Sequence, residues 1–139
     1  MVRTSTPPTG MKIESLDPTL ADRPSTSSGA YDRAHALAKS TLQELSLGDV
    51  AFCLRQSIAV VHVADIALKV TEAQPFVEAE LYAGDLLVSL LTAADKSTLN
   101  ASQLAALESV CDGALAAFDG LSDTVLPAVA RFLSVVGRR

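Results

Sequence analysis

Two histidines and two cysteines are the imidazoles and thiols that this chain offers for transition-metal ligation or nucleophilic chemistry, and their placement suits neither. Cys53 and Cys111 each sit among apolar neighbours in a helical stretch, so they read as core thiols, reduced in a cytosolic compartment. Neither His35 nor His62 has a cysteine or a second histidine at ligand spacing. His62 stands three residues before Asp65 and seven from both Arg55 and Lys69, so a carboxylate could orient it as a general base. The same pattern describes a solvated ion-pair stripe, which is the reading adopted. The chain has no Gly-rich phosphate loop, nucleophile elbow, zincin helix or paired CxxC. A non-enzymatic protein with no cofactor and no metal is expected.

Charge is the more informative signal. The net charge is −5, and between Glu72 and Asp123 nine acids face a single base, Lys96. Such a surface repels nucleic acid and speeds encounter with a basic protein. The candidate partner-binding residues are Glu72, Glu78, Glu80, Asp85, Asp95, Glu108 and Asp112.

Residues 1–29 hold four of the six prolines among Ser and Thr, with charges that cancel, and read as a disordered polar tail. Met11 could be an alternative start. After Ser28 the apolar residues Tyr31, Ala34, Ala38, Leu42 and Leu45 recur at helical spacing, with Gly48 as a stop and Asp49 as the next N-cap. From Val50 to about Ala73 the polar positions Arg55, His62, Asp65, Lys69 and Glu72 form one thin stripe, the pattern of a long buried helix at the centre of the domain. The competing reading, a strand through IAVVHVADIALKV, conflicts with the seven-residue repeat of that stripe. A third helix is expected from Pro75 to about Ala94, with Gly84 inside it. The fourth starts at Asn100, where Gln103 completes a capping box and Leu99 and Leu104 a staple. The fifth runs from about Ser122–Thr124 to Val136 and holds Pro127 in its first turn. Ile66 and Leu87 fall on the inferred inner faces.

The fold class is therefore all-α: an antiparallel bundle of four to five helices over 30–139 behind the tail. No apolar run is long enough to span a bilayer, although the mean hydropathy is +0.31. No secretory signal is visible, so the chain is placed in the cytoplasm.

Three functional readings follow. The first is a protein–protein interaction module (inhibitor, immunity protein, adaptor or chaperone-like) whose acidic surface suits a basic partner. The second rests on His35. Together with Leu37, the second residue after it, His35 resembles the phosphorylated motif of histidine-containing phosphotransfer domains, helical bundles in which that histidine carries phosphate. The following positions, Lys and Gly in those domains, are Ala38 and Lys39 here. The third is a structural subunit that self-associates through the charge-poor stretch 121–137. The leader has no acid before Glu14 and resembles the signals of type III secreted bacterial proteins, which adds a secreted effector as a further alternative.

Overall fold

The computed structural model describes residues 12–17, 29–116 and 125–136. Among them the regular elements are all helices, and the chain divides into two compact units, Met1–Leu45 and Ser46–Arg139.

In the first unit, a single turn α1 (Ile13–Leu16) precedes α2 (Gly29–Ala38) and a 3-10 turn, Leu42–Glu44. Most of the tail, 1–29, lies outside the described residues. Within it, Lys12 bridges Thr41, the Ile13 N–H donates to Ser40 O at 2.8 Å, and the Ile13 side chain is fully buried. The first expected helix is shorter than its periodicity implies. The Ser40 N–H turns back to Leu37 O, and Thr41 opens the 3-10 turn with a capping box in which Glu44 returns a carboxylate to the Thr41 N–H.

The second unit holds five helices: α3 (Leu47–Gln56), α4 (Val60–Ala73), α5 (Asp85–Asp95), α6 (Ala101–Ala116) and α7 (Val125–Val136). α3 packs on α4 and α5, α4 on α5 and α6, and α7 on α5 and α6. Leu54, Ile58, Val63, Leu86, Leu87, Leu90, Leu107, Val125 and Val129 form the core of this all-α bundle. At about 25 cal/mol per Å², fully burying each such side chain contributes about 1.5–3 kcal/mol. Leu87 is buried as expected, whereas Ile66 is only half-buried, because Val63, Ala64, Ala67 and Leu68 carry the inner face of α4.

Three boundaries differ from the expectation. Gly48 does not end a helix; it lies inside the first turn of α3, where Ser46 is the N-cap and Asp49 completes its capping box. The expected helix from Val50 to Ala73 is two helices. Ser57 adopts the left-handed conformation at φ 59°, and the Ile58 N–H closes on Cys53 O at 2.9 Å, the long bond of a Schellman closure. Ala59, also left-handed at φ 46°, then starts α4, so buried Ile58 turns the chain at a cost that two residues with a Cβ must bear. The third expected helix begins ten residues late. Pro75 follows the end of α4 and serves as a stop, and Gly84 is the N-cap of α5 at φ 90°.

The capping box expected at the start of α6 is present. The Gln103 N–H donates to Asn100 Oδ1 at 2.8 Å and the Asn100 N–H to Gln103 Oε1 at 3.2 Å. The Gln103 side chain does more than close this cap. Its Nε2 donates to Val61 O at 2.8 Å and to Asp65 Oδ1 at 2.9 Å, so α6 is fastened to α4 by one buried amide.

Candidate protein-binding site

The whole net charge of the chain belongs to the second unit. Residues 1–45 carry five acids and five bases, whereas residues 46–139 carry eleven acids and six bases. The seven acids singled out by sequence nevertheless have four different situations. Glu72 at the end of α4, Glu78 beyond it and Asp112 on α6 are exposed, and Glu108 is half-exposed. Asp95 pairs with Arg131 at 3.3 Å across α5 and α7, both side chains well solvated, which makes it a weak surface pair. Glu80 is paired with Arg55 at 3.2 Å. Asp85 is not on the surface at all, being 2% exposed.

What Asp85 does is organise the irregular segment between α4 and α5. Its Oδ1 accepts the Ala79 N–H at 2.6 Å, and its Oδ2 accepts the N–H groups of Glu80 at 3.0 Å and Leu81 at 2.7 Å. Burial pushes the Asp85 carboxyl up, but the backbone N–H groups of Ala79, Glu80, Leu81 and Tyr82 outweigh it and hold its pKa below the ordinary value. Gly84 closes the same loop, its N–H donating to Val77 O at 3.1 Å, while Glu78 bridges Ala83. From outside, Arg55 on α3 reaches Glu80 and also donates to Ser89 Oγ at 3.3 Å. Gly48 makes this approach feasible, since a Cβ there would stand 2.5 Å from Glu80 Oε1. At the tip of this fixed loop is Leu81, 60% exposed. The sequence reading missed the loop because it continued α5 through it.

The histidines lead elsewhere. His62 is half-buried on α4, and Asp65, the carboxylate that could have oriented a general base there, accepts from Gln103 Nε2. His35 is exposed on α2. Both cysteines are buried and neither forms a disulfide, and burial, with Asp112 and Glu108 adding negative charge, pushes the Cys111 thiol up to about 12. Among the described residues no group of three or more His, Cys, Asp or Glu could hold a metal ion, and no helix is long and apolar enough to cross a membrane.

Two grooves flank α6. One, about 400 Å³, runs between α4 and α6 and is lined by Leu68, Lys69, Glu72, Pro75, Ser109 and Gly113. The other, about 370 Å³, lies between α5 and α7 among Val88, Leu91, Leu104, Ala128, Phe132 and Val135. The latter includes the described part of the stretch 121–137 expected to self-associate; residues 121–124 and 137 lie outside the described residues.

No curated protein and no solved structure matches the chain. The family of CDI immunity proteins matches it over residues 16–107, about two thirds of its length, from α1 through the first half of α6. The chain belongs to the CDI immunity proteins and is a protein–protein interaction module of the immunity type.

Proposed function

We propose that this protein neutralises a basic toxin by docking it on the acidic unit Ser46–Arg139, in the cytoplasm and without chemistry of its own. The observation that carries the reading is the family match together with the confinement of the net charge to that unit. Of the seven candidate acids, Glu72, Glu78, Glu108 and Asp112 are available to the toxin, as is solvated Asp95 beside Arg131, whereas Glu80 is paired with Arg55 and Asp85 is buried. Exposed carboxylates of this kind accelerate encounter more than they strengthen the final complex. Both buried thiols are suited to a reducing compartment.

Affinity capture from the native host, with the retained protein identified by mass spectrometry and purified, tests the reading. A basic toxin is expected. Reversing Glu72, Glu78 and Asp112 to Lys together should slow its association several-fold at low salt, and the defect should shrink as exposed charges are screened beyond about 8 Å at physiological ionic strength. An acidic partner, or an unchanged rate at low salt, contradicts the electrostatic part of the proposal.

A further inference from the structure

We infer that the loop between α4 and α5 is the anchor of the toxin interface, with Leu81 inserting into an apolar socket bordered by basic side chains and Asp85 acting as the positioning residue behind it. The inference deepens the immunity reading and rests on it.

Leu81 is one of four large apolar side chains with substantial exposure among the described residues, the others being Val61, Leu115 and Val135. Those three stand on helices, whereas Leu81 stands on a segment with no helical hydrogen bonding to shape it. Such a segment would ordinarily be mobile, and ordering it on binding would reduce affinity. Here the order is built in. A buried carboxylate takes three consecutive N–H groups, from Ala79 to Leu81, and Arg55 holds the intervening Glu80 side chain. The carboxylate satisfies the loop's N–H groups, and the conformation it fixes leaves the Leu81 side chain 60% exposed instead of packed in the core. The arrangement has the form of an interface anchor: an apolar side chain held in place before binding, so that little ordering cost is left to the complex. Exposed Glu78 lies three residues before Leu81, and the unit that carries both is acidic, so the complementary surface is an apolar socket with Lys or Arg at its edge. The segment lies inside the family match, whereas Val135 lies outside it.

The test uses the full chain and, as probe, the purified toxin retained in the capture experiment. Leu81→Ala should lower its affinity at least tenfold, mainly through faster dissociation, with an unchanged melting temperature, while Val135→Ala should leave affinity within twofold. Asp85→Asn keeps the size of the side chain but cannot accept all three N–H groups. It should speed hydrogen exchange at residues 79–81 and weaken binding, and the weakening should largely disappear in the Leu81→Ala background, which a general loss of stability would not produce. A toxin bound equally well by Leu81→Ala overturns the inference and leaves the immunity reading intact. Failure of the chain to retain any toxin overturns both.

Discussion

Leu81 and Val135 are exposed to nearly the same degree, 60% and 63%, yet they are supported in different ways. Val135 sits near the end of α7, held by the helix ladder and by the apolar groove that α7 makes with α5. Leu81 has no ladder and depends on Asp85, one carboxylate at the first position of α5. The comparison separates an apolar residue left over at the edge of a packed surface from one that the fold deliberately presents. It also means that the two regions should respond differently to substitution.

The largest expected effects are on stability. Leu87→Ala removes a fully buried side chain and should cost about 2–5 kcal/mol, while half-buried Ile66→Ala should cost less, about 1–2 kcal/mol; chemical denaturation of both variants checks the helical phase. Asp85→Ala leaves three N–H groups of the loop without their acceptor and should cost about 3 kcal/mol, whereas no single truncation on the exposed face of α7 should approach that value. A cost below about 0.5 kcal/mol for Asp85→Ala would remove the distinction between the two regions.

Two glycines sharpen the comparison by responding in opposite directions. Gly84 joins the loop to α5 at φ 90°, and a Cβ there would meet Val125 Cγ2 at 2.7 Å, so Gly84→Ala should destabilise by about 2–4 kcal/mol. Gly113, in α6, has nothing within 4 Å of the corresponding position, so Gly113→Ala should stabilise by about 0.5–1 kcal/mol. Thermal melts of the pair distinguish a glycine required by the backbone from one merely tolerated.

The fold class, the stripe of α4 and the start of α6 were legible in the sequence because each is written by local spacing. The Asn100–Gln103 reciprocity needs only residues three apart, and the apolar period of α4 needs only its own turns. The break at Ser57–Ala59 was not legible, because the signals for a helix end are Gly and Pro, and here a serine and an alanine take the left-handed conformation to bury Ile58. The loop of Leu81 was hidden for a related reason. Phe76, Ala79, Ala83, Leu86, Leu87 and Leu90 do recur helically, and the information that residues 79–81 leave the helix is carried by a tertiary fact, the burial of Asp85. Counting Asp85 among surface acids was the consequence. Charge counted along the chain cannot tell a solvated carboxylate from one enclosed by amides.

Acidity should affect the loop before the rest of the unit. Because the folded pKa of Asp85 is lowered, its contribution is present above the ordinary value of 3.8 and is lost as pH falls through the depressed folded value. Protection of the amides at residues 79–81, taken relative to intrinsic exchange at each pH, should therefore fall on acidification ahead of that in α7. At the opposite end, Cys111 has its pKa raised to about 12, so the native thiol stays protonated, and stability should decline as pH rises above 9.0 toward that value. Thiol alkylation near pH 8 should accordingly spare Cys111 until the protein is unfolded.

The smallest effects are those of single surface charges. Glu78→Gln and Glu72→Gln should leave the melting temperature unchanged and should each slow toxin association by about twofold or less at physiological salt.

The central claim, that the chain acts by occupying a toxin and not by chemistry, is tested most directly by titrating the captured toxin's activity with the intact protein. A linear loss of activity is expected, complete at one equivalent and reversed when the complex dissociates. Inactivation by substoichiometric amounts, increasing with time, or a toxin that stays fully active while bound, would contradict it.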